Sequence, residues 1–243
     1  MEQNGASGWR LTIPAGGADR YRLAQLDDYS SLARSRFPWR APLSLTLRAW
    51  VSAPNLPGTW GFGLWNDPFS LSFGFGGGAR RLPALPNAAW FFFASTPNYL
   101  SLREDLPAQG FLAASFRSMR LPAPLLGLGA LGLPLLALPG AGKLARRIAR
   151  RMVQQDAAQV YVNPCEWHTY SVIWGERQLS LRVDEETVLT TACTPVGRLG
   201  MVLWIDNQYA AFTPDGRLSW GLLPNPEPAW LEVDQIACKT ELV

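Results

Sequence analysis

Residues 43–51 read Leu43-Ser44-Leu45-Thr46-Leu47-Arg48-Ala49-Trp50-Val51, with an apolar residue at every second position. Because successive side chains of a strand point to opposite faces, these apolar residues share one face, as in a half-buried β-strand. Further strand patterns, bounded by turn residues, lie at residues 60–65, 87–93, 170–174, 179–184, 188–191, 201–206 and 230–236. No helices alternate regularly with these segments, so the sequence predicts an all-β, antiparallel β-sandwich.

The composition agrees with a large core. Of 243 residues, 48% are hydrophobic and only 17% are charged, which excludes disorder for most of the chain. The 22 Gly and 20 Pro indicate many turns, and the 11 Trp favour strands over helices. Because all-β sandwiches often run to about 200–250 residues, we expect one domain over residues 1–243.

The cysteines and the N-terminus bear on the compartment. Cys165, Cys193 and Cys238 are too few and too far apart for a disulfide framework or a zinc site, which favours a reducing compartment. The first residues lack the basic and apolar regions of a secretory signal. We therefore expect a cytoplasmic protein.

An apolar run interrupts the strand pattern at residues 121–142, where no side chain is polar or charged. Prolines leave only residues 125–133 uninterrupted, and nine helical residues rise about 13 Å, less than half of a roughly 30 Å bilayer core. A straight transmembrane helix is therefore not expected. Residues 143–155 follow with the pattern of an amphipathic basic helix, so we expect residues 117–157 to be an insertion made of this loop and helix.

The insertion has three candidate roles, namely a lid over a cleft, a membrane anchor and a subunit interface. Five of the 22 Lys and Arg lie in residues 143–152, which leaves the rest of the chain slightly acidic and favours the anchor. Arginines near an anionic surface contribute about 1 kcal/mol each. The membrane-binding residues would be Leu125, Leu126, Leu131, Leu135, Arg146, Arg147, Arg150 and Arg151.

In the anchor role the protein would lie at the inner face of the membrane. In the lid role the loop would instead enclose a cavity for a lipid-like ligand. Nucleic acid is not an expected partner, because the basic helix has no interleaved aromatic residues. The sequence leaves the oligomeric state open.

Four segments resemble glycoside hydrolase family 16 of the concanavalin A-like lectin/glucanase superfamily. They are Pro57-Gly58-Thr59-Trp60-Gly61-Phe62-Gly63-Leu64-Trp65, Glu166-Trp167-His168-Thr169-Tyr170-Ser171-Val172-Ile173-Trp174, Leu179-Ser180-Leu181-Arg182-Val183-Asp184 and Trp230-Leu231-Glu232-Val233-Asp234-Gln235-Ile236. They are similar to the family's P-G-x-W-P-A-x-W, W-H-T-Y-x-x-x-W, x-V-D-G and closing x-V-D segments. The resemblance covers about residues 43–100 and 160–238. It implies a concanavalin A-like jelly roll.

The same resemblance argues against the family's catalysis. Its active members carry Glu, Asp and Glu at alternate positions of one strand, which places nucleophile and acid/base on one face. The corresponding stretch is Ala88-Ala89-Trp90-Phe91-Phe92-Phe93-Ala94, which has no carboxylate. We therefore expect no catalytic residue of the family type. A rebuilt enzyme that recruits Asp67, Asp206 or Glu104 is the first alternative, and a purely structural or interaction protein is the second.

Aromatic residues next to amide and carboxylate groups suggest a ligand cleft for a carbohydrate or a lipid-like molecule. The candidate ligand-binding residues are Trp60, Trp65, Asp67, Trp90, Trp204, Asp206 and Asn207, and Trp220 is a further candidate for the aromatic platform. Period two places Trp65 on the face opposite to Trp60. The resemblance also implies a structural calcium ion at Asp234, and no other cofactor is expected.

Overall fold

The chain folds into two large antiparallel β-sheets that face each other. The structure is a computed structural model, and it describes residues 2–4, 8–68, 81, 84–119, 121, 126 and 140–240. The seven-stranded sheet holds, in spatial order, β1 (Glu2–Asn4), β2 (Gly8–Ile13), β15 (Ala229–Thr240), β4 (Leu43–Val51), β9 (His168–Trp174), β10 (Leu179–Val183) and β11 (Glu186–Thr191). The six-stranded sheet holds β3 (Leu23–Asp27), β12 (Gly200–Asp206), β5 (Thr59–Trp65), β6 (Ala88–Ala94), β7 (Gly110–Ser118) and β8 (Val153–Gln159). Outside the sheets lie the hairpin β13 (Gln208–Phe212) and β14 (Leu218–Leu222), the helix α1 (Ala141–Met152) and a 3-10 turn (Arg34–Arg36).

The core fills the space between the two sheets, and alternation decides which residues enter it. In β4 every second residue is buried, from Leu43 to Val51, as the sequence predicts. Aromatic rings from the six-stranded sheet complete the packing: Trp60 stacks on Phe93 with centroids 5.7 Å apart, and Phe62 contacts Tyr170 at 4.8 Å. Burying each such side chain contributes about 1.5–3 kcal/mol, so this layer is the main source of stability. The predicted antiparallel β-sandwich is confirmed.

Two strands lie where the sequence predicted an insertion. Residues 117 and 118 end β7, and residues 153–157 belong to β8, so neither group is part of an inserted segment. The helix also ends at Met152 and not at residue 155. From Val153 onward the chain pairs with β7, and Val153, Gln155 and Ala157 are buried at alternate positions. Pairing and burial against the sheet therefore outweigh the helical preference of these residues.

Helix α1 approaches the hairpin turn very closely at its first residues. A Cβ atom on Gly142 would lie 1.9 Å from the carbonyl oxygen of Gly216, so only glycine fits at this contact. In the described part of the chain, no helix is long and apolar enough to cross a membrane.

Candidate functional site

The outer face of the six-stranded sheet is the candidate site. In the central strand β6, Ala89, Phe91 and Phe93 point into the core between the sheets, whereas Trp90 and Phe92 point outward. The remaining outward residues of this strand are alanines at both ends. The strand therefore presents aromatic rings, and no carboxylate, on the face that the alternation exposes.

Three half-buried tryptophans, Trp65, Trp90 and Trp204, meet on this face and are termed the tryptophan cluster. The rings of Trp65 and Trp204 are nearly parallel, with an interplanar angle of 6° and centroids 6.4 Å apart. Trp90 lies 5.8 Å from Trp65 and 5.4 Å from Trp204. Three neighbouring strands thus each contribute one ring to a single patch.

Glycines in β5 make room for this patch. A Cβ atom on Gly61 would lie 2.7 Å from the Trp204 ring, and one on Gly63 would lie 2.5 Å from Cβ of Trp90. Any side chain at either position would collide with a member of the cluster. The two outward positions of β5 between Thr59 and Trp65 therefore carry no side chain, so the flanking rings can lie over the strand.

A polar relay orients Trp204. Its indole N–H donates to the hydroxyl oxygen of Thr59 at 2.9 Å, and that hydroxyl donates to Oδ1 of Asp206 at 3.0 Å. The same carboxylate oxygen accepts the backbone N–H groups of Thr59, at 3.2 Å, and Gln208, at 3.1 Å. Burial raises the pKa of Asp206 to about 6. Asp206 thus acts as a structural anchor at one end of the cluster.

Asp67 lies beyond the other end of β5 and is held in an ion pair. Its carboxylate accepts a 2.5 Å hydrogen bond from buried Arg81, which also donates to the backbone carbonyl oxygens of Tyr29, Ser30 and Leu32. Because Asp206 pairs with Thr59 at the start of β5, the two aspartates are roughly 20 Å or more apart. Paired glycosidase carboxylates are about 5–10 Å apart, so these two do not form such a pair.

Comparison with known proteins gives the fold family. No protein-family model and no curated protein matches the sequence. Among solved structures, the κ-carrageenase of Pseudoalteromonas carrageenovora is similar with a TM-score of 0.51 and 11% identity, over 97% of this chain and 80% of that one. A family 16 endo-glucanase of Bacteroides ovatus gives a TM-score of 0.46 and 12% identity, over 98% and 84%. A β-1,3-glucanase of Mycobacterium marinum gives 0.48 and 14%, over 97% and 76%. The chain shares the β-sandwich fold of these enzymes, as the resemblance to glycoside hydrolase family 16 implied.

In this family 16-like sandwich, some predicted ligand-binding residues lie away from the cluster. Trp60 is 1% exposed and points into the core, so its assignment to the cleft was wrong. Asn207 is buried, and its amide donates hydrogen bonds to the carbonyl oxygens of Arg20 and Leu223. These bonds connect two chain segments, so the amide is not available to a ligand. Trp220 lies on the separate hairpin and is 58% exposed.

Asp234 does not fit the calcium site that the resemblance implied. Its two carboxylate oxygens accept hydrogen bonds of 2.9 and 2.7 Å from the guanidinium of Arg48, which already neutralises the charge. Within the described ranges, no group of three or more His, Cys, Asp or Glu side chains could hold a metal ion.

The basic helix of the family 16-like sandwich differs from the expectation in one arginine. Arg146 is 3% exposed and donates to the carbonyl oxygens of Phe212 and Ser101, so it cannot contact a headgroup as predicted. The helix instead exposes Leu144 (55%) and Ile148 (47%).

The other predicted cations, Arg147, Arg150 and Arg151, are exposed, and Arg150 lies 3.9 Å from Glu104. Leu126 is half-buried, whereas Leu125, Leu131 and Leu135 lie outside the described residues.

Sequence reasoning missed an arginine-lined depression beside the cluster, termed the arginine groove. It consists of two open cavities of about 420 Å³ each, which share Met119 and Val196. Its arginines are Arg34, Arg40, Arg117, Arg151 and Arg198. They come from separate segments of the chain, so no local sequence pattern could have revealed the groove.

Proposed function

We propose that this chain is a non-catalytic carbohydrate-binding module that also contacts an anionic membrane surface through helix α1. The observation that carries the first part is the tryptophan cluster on the outer face of β6 and its neighbours. Aromatic rings occupy the strand on which the resembling hydrolases carry their catalytic carboxylates. Because this face has no carboxylate of the family type, we infer that it binds a ligand and does not hydrolyse one.

The chemistry of the cluster suits a sugar ligand. Indole rings offer large, rigid apolar surfaces, and sites that bind small molecules combine such surfaces with a few fixed polar groups. Trp65 and Trp204 are nearly parallel and half-buried, so part of each ring is accessible to a ligand. The κ-carrageenase with the same fold was solved in complex with an oligotetrasaccharide of κ-carrageenan, which supports a carbohydrate over a purely lipid-like ligand.

The acids near the face support a function without hydrolysis. Asp206 is used in the relay to Trp204, and Asp67 is used in the ion pair with Arg81. Glu104 is exposed beside Arg150 at the edge of the molecule. Asp67 and Asp206 are therefore held in contacts within the fold and lie too far apart to act as a hydrolytic pair.

Calorimetry with β-1,3-glucan and mixed-linkage glucan oligosaccharides, and with a κ-carrageenan tetrasaccharide, tests the binding function. We expect binding of at least one of them, a loss of about tenfold or more in Trp204→Ala, and partial recovery in Trp204→Phe. Trp220→Ala is the matched control, because Trp220 is exposed on the hairpin and should not affect binding.

Two outcomes would contradict this proposal. Unchanged affinity in Trp204→Ala would remove the cluster from the binding site. Release of reducing sugar by the wild-type protein, abolished by Asp67→Asn or Asp206→Asn, would establish a rebuilt enzyme instead.

Membrane contact is the second part of the proposal, and the outward face of α1 supports it. Leu144 and Ile148 lie one helical turn apart on that face and are about half exposed. Lys143 and Arg147 are exposed next to them, so two apolar side chains are flanked by cations. This is the arrangement by which interfacial helices bind anionic bilayers.

Co-sedimentation with vesicles, either zwitterionic or containing anionic phospholipid, tests the membrane contact. We expect binding to anionic vesicles at low salt, and its loss in Leu144→Gln/Ile148→Gln and in Lys143→Gln/Arg147→Gln. The control Arg177→Gln/Arg182→Gln removes the same charge from exposed positions elsewhere. Equal loss of vesicle binding in the control would show that binding depends on net charge alone. Unchanged binding in both helix variants would exclude α1 as the membrane contact.

A further inference from the structure

The arginine groove concentrates positive charge in one part of the surface. Three arginines, Arg34, Arg40 and Arg198, line one cavity, and Arg117 and Arg151 line the other. None of the described residues that line either cavity is Asp or Glu. The chain as a whole carries 22 cations against 19 acids, so a set of described lining residues with five arginines and no acid differs from the average. Such a groove raises the local concentration of anions.

The groove arginines are of two kinds. Arg34 donates to the backbone carbonyl oxygens of Asn66 and Asp67, both at 2.6 Å, and Arg198 donates to that of Phe37 at 2.9 Å. These bonds fix the two guanidinium groups, and the Asp67 carboxylate, which pairs with Arg81, also attracts Arg34. Arg40, Arg117 and Arg151 are exposed and form no ion pair within the described ranges.

The groove is continuous with the tryptophan cluster. Asn66, which directly follows Trp65, lines the first cavity. Leu85 of the first cavity and Met152 of the second both pack against the same apolar cluster as the three tryptophans. The groove and the cluster are therefore adjacent, so one chain-like ligand can contact both.

We propose that the groove binds the sulfate or carboxylate groups of an anionic oligosaccharide whose sugar rings lie on the tryptophan cluster. This inference rests on the proposed carbohydrate-binding function and narrows its ligand to an acidic glycan. The planar guanidinium group donates parallel hydrogen bonds to carboxylate and similar oxyanions, so it suits the acidic groups of such a ligand. The asparagine amide groups of Asn66 and Asn87 at its rim are uncharged and do not oppose an anion.

The test compares a sulfated galactan tetrasaccharide, the same tetrasaccharide after desulfation, and an oligouronate, by calorimetry at low and at physiological salt. We expect the two acidic ligands to bind at least about tenfold more tightly than the neutral one. The variant Arg40→Gln/Arg117→Gln takes one exposed arginine from each cavity and should remove most of this preference. Arg177→Gln/Arg182→Gln has the same change in net charge and should retain it.

Each possible result of these measurements either supports or overturns the proposal that the groove binds an acidic oligosaccharide. A preference that persists in Arg40→Gln/Arg117→Gln, or that falls equally in the control, would overturn it. Trp204-dependent binding with no preference for acidic ligands would overturn it and leave the proposed function intact. No binding of any oligosaccharide would overturn both. Loss of anionic-vesicle binding in the groove variant, without loss of oligosaccharide binding, would assign the groove to lipid headgroups instead.

Discussion

The indole N–H of Trp204 donates a 2.9 Å hydrogen bond to the Thr59 hydroxyl, and this bond links the aromatic patch to the first residue of β5. The Thr59 hydroxyl in turn donates a hydrogen bond to the buried carboxylate of Asp206. The orientation of one ring in the tryptophan cluster therefore depends on a buried acid, and the protonation of that acid affects the stability of the whole fold.

Asp206→Asn should change how stability depends on pH. Because burial raises the pKa of Asp206 to about 6, from 3.8 in the unfolded chain, the folded protein retains this proton where the unfolded chain has lost it. The contribution of this group is fully present below about pH 4 and is lost as the pH rises through about 6. A shift of about two pKa units corresponds to about 3 kcal/mol.

Urea unfolding of both proteins between pH 4 and pH 7 measures the effect. The wild-type protein should lose up to about 3 kcal/mol relative to Asp206→Asn across this interval. Parallel stability curves would contradict the prediction. Asp19→Asn, at an exposed position, is the control and should leave the curve unchanged.

Gly142→Ala should destabilise the protein, although alanine is the better helix former by about 1 kcal/mol. The new methyl group would lie 1.9 Å from the carbonyl oxygen of Gly216, so the helix or the hairpin turn must move. We expect a lower Tm by differential scanning calorimetry. Gly17→Ala, whose methyl group would meet only the flexible Asp19 side chain, should have a small effect. A rise in Tm for Gly142→Ala would mean that the helix is not seated on the hairpin.

Arg146→Gln should loosen helix α1. The variant removes hydrogen bonds to the carbonyl oxygens of Phe212 and Ser101 and the cation–π contact with Tyr99, whose ring centroid is 5.3 Å away. Hydrogen bonds to charged groups contribute about 1.5–3 kcal/mol, so a loss of about 3 kcal/mol is expected. Faster hydrogen exchange of the helix amides would localise the effect. Arg147→Gln on the exposed face should change neither quantity, and equal effects in both variants would contradict the buried anchor.

Trp174→Ala should lower the free energy of unfolding by about 3–5 kcal/mol. Trp174 is 1% exposed in the core, and its indole N–H donates to the carbonyl oxygen of Pro195 at 3.2 Å. Trp220→Ala offers a matched comparison at an exposed ring. Chemical denaturation followed by circular dichroism measures both, and a near-neutral Trp174→Ala would contradict the assignment of β9 to the core.

Much of the fold could be predicted from the sequence, because alternation in strands such as Leu43–Val51 reports directly on burial. The strands β7 and β8 could not. All residues from Phe111 to Phe116 are buried, so β7 shows no alternation, and β8 is an edge strand rich in Gln and Ala. Periodicity fails where both faces of a strand are covered.

The candidate site was only partly accessible to the same reasoning. The alternation of side chains along a strand placed Trp65 and Trp60 on opposite faces, because this pattern depends only on positions within one strand. The burial of Arg146 was not predictable, since its partners Ser101 and Phe212 lie 45 and 66 residues away in the chain. The arginine groove was missed for the same reason, because it is assembled from segments that are distant in the chain.

Gly61 and Gly63 give the aromatic patch a signature that other sequences can be searched for. Because a Cβ atom at either position would meet Trp204 or Trp90, the rings and the missing side chains must be inherited together. A related sequence that keeps the tryptophans but places larger residues at these two positions would have to rebuild the patch. The segment Gly61-Phe62-Gly63, and not the number of tryptophans, therefore distinguishes aromatic-faced sandwiches of this kind.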